Sequence, residues 1–242
     1  GIIKPGCVAV TSQQVPGVTN VLRSLCNELG VRLVTASEAC TWNMENHDMN
    51  GQSFTLISRW GKLELWTRLL GSHQLENAAT AVTAIMELND LGFYISSNSI
   101  VRGLMAVRWP ARLEVLSKDP LIVTDGAHNP HSAARLIETL PEYFSFKRAI
   151  YVVGLSNDKN LSGIVKEISK EISNDAEKVV VTRSRHPRAA PTMAVAQEFS
   201  AIGISSDVSD DVKSGMDYAL HQYKSGDIVV VTGSLFVAAE AR

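Results

Sequence analysis

Leu121-Ile-Val-Thr-Asp-Gly-Ala-His-Asn-Pro130 is the stretch that decides the fold. Its apolar and β-branched start, residues 121–124, reads as a buried strand that stops at a carboxylate. Gly126 permits a sharp turn. Asn129 before Pro130 is a helix start, with Asn as N-cap and Pro at the first helical position. The helix is expected over residues 131–140. Asp125 and His128 therefore fall between the carboxyl end of a strand and a helix N-terminus. That crevice is where open α/β sheets bind ligands. The competing interpretation is that Asp125 only caps the helix and His128 is a solvated loop residue.

Outward to the C-terminus the pattern repeats. Strands are expected at 148–153, 178–182 and 227–232, and helices at 161–172, 192–202, 210–223 and 235–242. Alternating strands and helices predict a doubly wound, mostly parallel sheet. Parallel strands end on the same side, so four loops should share one rim: 125–129, 154–159, 182–188 and 232–234. They bring His, Lys and Arg beside Asp and Ser. An anionic small molecule suits such a rim, held by Arg or Lys and by backbone N–H groups.

Toward the N-terminus, 8–11 and 31–34 read as parallel strands joined by an amphipathic helix that starts at Gly17 or Thr19 and ends at Gly30. The polar run 42–51 reads as a surface loop. Residues 52–57 and 62–67 alternate about Gly61 and predict a hairpin, adding an antiparallel element to the parallel sheet. Ser72 looks like the N-cap of an Ala-rich helix on which His73, Asn77 and Thr80 share one face. Such a stripe either lines a cleft or is solvated. A further helix is expected at 97–107. Pro110 breaks the pattern, so a domain boundary falls here, giving 1–109 and 110–242.

Composition narrows the function. With 242 residues and 45% hydrophobic content the chain can bury two ordinary cores. Its 23 basic and 25 acidic residues leave no positive excess for nucleic acid or a membrane surface. No apolar run approaches the roughly 20 residues a membrane span needs. Cys7, Cys26 and Cys40 form no CxxC pair, which fits a reduced, cytoplasmic protein. No GxxxxGK[ST] loop and no GxGxxG occurs, so a complete nucleotide cradle is missing. The abrupt start at Gly1, without Met, suggests a fragment.

Several segments together carry a resemblance. They are Leu70-Gly-x-His-Gln-x-x-Asn-Ala-Ala, Trp109-Pro-x-Arg-Leu-Glu114, Asp125-Gly-Ala-His-Asn-Pro130, Asp158-Lys159, and Thr232-Gly-Ser-Leu-Phe-Val-Ala-Ala-Glu240. In this order they resemble the folylpolyglutamate synthase/dihydrofolate synthase family of the Mur ligase superfamily. The resemblance implies a partial P-loop-type central domain followed by a Rossmann-like C-terminal domain, with the family's site between them. It implies ATP-dependent addition of L-glutamate to dihydropteroate or a folate through an acyl phosphate, with magnesium neutralising phosphoryl charge. Another Mur-type amino-acid ligase of cell-wall synthesis and a non-catalytic nucleotide-binding module are the alternatives.

By that resemblance Asn77, Arg112 and Asp125 match ATP-contacting positions. His128 and Ser234 match positions associated with glutamate, and His73, Asp158 and Lys159 are candidates to line the site. Ala111 departs from the usual Gly between Pro and Arg, and only a slight backbone shift is expected. Gly1-Ile-Ile-Lys-Pro resembles the tail of Glu-Lys-Ala-Gly-Ile, whose carbamylated lysine helps hold magnesium. The metal ligands are therefore expected upstream of Gly1, and residues 1–242 alone are expected to be inactive.

Overall fold

The computed structural model describes residues 1–172 and 178–242. It divides into two compact units, Gly1–Arg108 and Trp109–Arg242.

In the first unit, β1 (Val8–Thr11), α1 (Pro16–Glu28) and β2 (Arg32–Thr35) form a parallel strand–helix–strand unit. Gly30, at φ +64°, closes α1. There the Val31 N–H reaches the Cys26 carbonyl and the Gly30 N–H reaches that of Asn27, the paired bonds of a glycine-terminated helix. After the short α2 (Ala36–Ala39) come β3 (Cys40–Asp48), β4 (Gly51–Ser58) and β5 (Gly61–Thr67), a separate three-stranded antiparallel sheet. Two expectations are corrected here. The hairpin does not extend the parallel sheet, and most of the polar run 42–51 is strand. Cys40, Trp42 and Met44 point inward while Thr41, Asn43 and Glu45 are exposed. The run is polar because one face of β3 meets water.

α3 (Ser72–Asp90) and α4 (Ser97–Ala106) pack on the inner face of that sheet. Leu75, Ala79, Val82 and Met86 of α3 and Ile100 of α4 join Phe54, Leu56 and Leu65 in one core. Ser72 is not the N-cap. That position belongs to Gly71 at φ 107°, and the Gly71 carbonyl accepts from the Gln74 N–H and from Nε2 of buried Gln52. Glu87, nearly buried on α3, pairs with both Arg32 and Arg59.

In the second unit, β6 (Glu114–Lys118) and β7 (Leu121–Thr124) run antiparallel. The chain continues through α5 (Pro130–Tyr143), β8 (Arg148–Val153), α6 (Leu161–Ile168) and a 3-10 turn at Ser169–Glu171. It ends with β9 (Lys178–Val181), α7 (Thr192–Ala201), β10 (Asp207–Val208), α8 (Val212–Gln222), β11 (Asp227–Thr232) and α9 (Leu235–Ala241). The strand order is β10-β9-β8-β11-β7-β6, parallel except at β6. β7, β8, β9 and β11 are buried along almost their whole length, so helices cover both faces. Val212, Ala219 and Val237 of α8 and α9 pack with Ile150, Val152, Val180, Val229 and Val231. α5 continues through Pro141 beyond the expected end, because Tyr143 and Phe144 behind it are buried.

Candidate functional site

Because β7, β8, β9 and β11 are parallel, their carboxyl ends form one rim in the second unit. The four loops read from the sequence all leave from that rim.

The loop after β7 is built around Asp125. One carboxylate oxygen accepts the Leu113 N–H at 2.8 Å and the other the Ala127 N–H at 2.8 Å. Asp125 does not cap α5. Asn129 does, accepting the Ser132 N–H at 2.9 Å, while Ser132 Oγ accepts the Asn129 and His128 N–H groups. Burial pushes the Asp125 carboxyl above its ordinary range. The Leu113 and Ala127 N–H groups, then the Arg112 guanidinium and the His128 ring, pull in the opposite direction. Arg112 and His128 thus lie within electrostatic reach of the same carboxylate.

Arg112 is exposed, and its guanidinium makes no hydrogen bond or close ion pair among the described residues, acting on Asp125 only at longer range. Its neighbours are unusual. Ala111 has φ 58° and Leu113 φ 41°, a left-handed region that side-chain-bearing residues rarely enter. The Ala111 carbonyl accepts the Gly126 N–H at 2.8 Å, and the Ala111 N–H donates to Glu114 Oε2 at 2.9 Å. Ala111 therefore sits in a glycine-like turn, held by its neighbours.

His128 Nδ1 lies 2.9 Å from the Gly126 carbonyl oxygen. A carbonyl only accepts, so Nδ1 carries the hydrogen. In the neutral ring Nε2 is then left as an acceptor. Ser234 is buried and caps α9, its oxygen accepting the Val237 N–H at 3.1 Å. The hydroxyl proton remains available to a guest.

The loops after β8 and β9 are stitched together. The Asn157 N–H donates to the Arg188 carbonyl and the Ala190 N–H to that of Leu155. Lys159 lies 3.2 Å from Asp158, and Arg188 lies 3.8 Å from the same carboxylate. The hydrogen bond from Lys159 holds the Asp158 carboxyl below its ordinary range. The His186 ring stacks on that of Phe236 with centroids 3.6 Å apart, and the Arg188 guanidinium lies 5.7 Å from the Phe236 centroid. Sequence reading did not find this cluster, because Phe236 reaches it from a distant segment. The hydroxyls of Thr182 and Thr232, buried at strand ends, have no protein partner.

Asn77 and His73 belong to the first unit. Asn77 is exposed on α3 and donates to Gln74 Oε1 at 3.0 Å, while Gln74 Nε2 lies 3.0 Å from His73 Nε2. Thr80 donates to the Glu76 carbonyl of its own helix.

The rim suits an anionic, hydroxyl-bearing guest: an open guanidinium, a half-buried carboxylate, an imidazole acceptor and unsatisfied hydroxyls. Among the described residues no group of three His, Cys, Asp or Glu side chains is placed to hold a metal. Among the described residues no helix is long and apolar enough to cross a membrane.

Comparison with known proteins identifies the family of the second unit. Residues 111–235 match the Mur ligase glutamate ligase domain family. The chain is 29% identical over 246 residues to the dihydrofolate synthase/folylpolyglutamate synthase of Bacillus subtilis, covering 100% of this chain and 55% of that protein. It is 29% identical over 253 residues to the folylpolyglutamate synthase of Lacticaseibacillus casei, again covering 100% and 55%. The fold matches Mycobacterium tuberculosis folylpolyglutamate synthase complexed with ADP and AMPPCP, with TM-score 0.86 and 26% identity. That match covers 97% of this chain and 54% of the other. The chain thus spans about half the length of the relatives it matches.

Proposed function

The chain belongs to the Mur ligase family through its glutamate ligase domain, and on that premise we propose that it serves an ATP-dependent ligase joining L-glutamate to dihydropteroate or a folate. The single observation behind this is that the Asp125 carboxylate, at the strand-end rim, holds the N–H of Leu113 beside Arg112 and the N–H of Ala127 beside His128, gathering both side chains' segments around it. ATP supplies the phosphoryl group that activates the acceptor's carboxylate as an acyl phosphate. Everything else is binding and orientation by the chain's own groups.

In this reading Arg112 grips the nucleotide's phosphates through its open guanidinium. Both Asp125 oxygens already hold backbone N–H groups, and their remaining lone pairs are acceptors for ribose hydroxyls. His128 Nε2 accepts a hydrogen from the attacking amine of glutamate and orients it, while the Ser234 hydroxyl donates to a glutamate carboxylate. Asp158 and Lys159 flank that end of the rim. Asn77, as an ATP contact, and His73, as a lining residue, rest on the family resemblance. The first unit is read as the C-terminal part of the ATP-binding central domain and the second as the C-terminal domain. The same reading takes in magnesium as ATP's companion, held by residues outside those present here. It also takes in a cytoplasmic setting, consistent with three unpaired cysteines.

The test is turnover. With ATP, magnesium, L-glutamate and dihydropteroate, residues 1–242 alone are expected to release no ADP above background. The ligase containing them is expected to form the glutamyl product, and to lose ATP use on Arg112→Ala. Turnover with a cell-wall precursor instead of a pterin would reject the folate assignment.

A further inference from the structure

Glu114 closes the Trp-Pro-x-Arg-Leu-Glu segment. It stands at the start of β6, two residues after Arg112. Its Oε2 accepts the Ala111 N–H at 2.9 Å. Asp125 Oδ2 accepts the Leu113 N–H at 2.8 Å. These are the N–H groups of the two left-handed residues that flank Arg112. Each strained position is thus met by a carboxylate, and Gly126 fixes the Ala111 carbonyl from a third side. Strained backbone persists only where its surroundings over-determine it, and it gathers at functional sites. Here it surrounds one exposed, open guanidinium.

We infer that Glu114 is a positioning residue: with Asp125 it brackets the Arg112 turn and sets the direction in which that guanidinium meets phosphate. The inference rests on the reading of Arg112 as an ATP contact. Arg242 Nε pairs with Glu114 Oε2 at 3.0 Å, the oxygen that also accepts the Ala111 N–H, and so helps to orient the carboxylate. A purely structural Glu114 would tie β6 to the end of α9 and leave ATP binding alone.

The experiment measures the ATP Michaelis constant in the active ligase containing this chain, with thermal unfolding recorded beside it. Glu114→Ala removes the acceptor for the Ala111 N–H. It is expected to raise the ATP KM about tenfold, the effect of one strained residue's worth of lost preorganisation, while the glutamate KM stays near its starting value. Glu114→Gln retains a carbonyl acceptor and should recover most of the loss. In an Arg112→Ala background, Glu114→Ala should add nothing further, because its effect passes through that guanidinium. If Arg112→Ala weakens ATP use but Glu114→Ala does not, or if the two losses simply multiply, the inference is overturned and the reading of Arg112 stands. If Arg112→Ala leaves the ATP KM unchanged, the reading of Arg112 fails and the inference falls with it.

Should Glu114→Ala not fold, Glu114→Asp, whose shorter side chain draws the carboxylate back from the Ala111 N–H, carries the test: a raised ATP KM with the glutamate KM unchanged supports the inference, and an unchanged ATP KM overturns it.

Discussion

The carboxylate of Asp125 accepts the backbone N–H of Leu113 at 2.8 Å, tying the segment that carries Arg112 to the loop that carries His128. Its other oxygen holds Ala127. Asp125→Asn would put an amide NH2 where one of these donors points, leaving a half-buried N–H unmet. That costs roughly 1–3 kcal/mol. Burial already disfavours the ionised form, and a neutral amide escapes that part, so the lower end is expected. Urea unfolding of the variant measures it. An unchanged midpoint would mean that the two bonds contribute nothing.

Asp227 carries the opposite shift. Burial opposes its ionisation, but the Arg148 guanidinium, with Nε 3.1 Å from Oδ2, and the Lys224 N–H outweigh it and hold the carboxyl below its ordinary range. Its unfolded value is about 3.9. A depressed folded value means that the stabilisation is fully present above that pH and is lost as pH falls through the folded value. Asp227→Asn leaves Arg148 mostly buried without its counter-charge, at about 3 kcal/mol near neutrality. Urea midpoints of both proteins should therefore converge in acid. A gap that stays constant down to about pH 2 would contradict the assignment.

These two carboxylates also show what the sequence reveals and what it hides. The central strands were legible because Ile-Val-Thr and Val-Val-Val runs are apolar on both faces, as a buried parallel sheet demands. The placing of Asp125 and His128 in a strand-end loop was legible because the end of a strand and a helix start bracket them. β3 was hidden because its outward Thr41, Asn43 and Glu45 outnumber the inward signal of Trp42 and Met44. The turn at Ala111 and Leu113 was hidden for another reason. Neither residue type announces a left-handed backbone, and the carboxylates that hold it are recognised only when the chain is folded. The His186–Phe236 stack joins residues 50 positions apart by sequence number, beyond any local pattern.

Two rim glycines should respond differently to Ala. At Gly154 a Cβ would lie 2.7 Å from Val237 Cγ2 and 2.9 Å from the Thr182 carbonyl oxygen. Backbone in the sheet cannot give way cheaply, so about 1–3 kcal/mol of stability is lost. At Gly126 the nearest atom, 2.3 Å away, is Cδ2 of Leu235, a side chain 48% exposed. Leu235 can swing outward, so Gly126→Ala should cost under about 1 kcal/mol. Differential scanning calorimetry of the pair checks the ranking. A reversed order would show that the Gly126 loop, which also holds the Ala111 carbonyl, is the stiffer of the two.

His128 offers the sharpest separation of the two substrates. Its Nδ1–H is committed to the Gly126 carbonyl 2.9 Å away, which fixes the ring and presents Nε2 as an acceptor. A phosphate has no hydrogen to give that nitrogen, whereas the amine of glutamate has. His128→Ala should therefore raise the glutamate KM by about tenfold or more, the loss of one oriented hydrogen bond to a charged group. The ATP KM should stay within about twofold, because Arg112 and the bonds around it are untouched. Initial rates of the ligase with each substrate varied in turn give both constants. Equal increases in the two would place His128 in the shared scaffold of the rim and take the amine away from it.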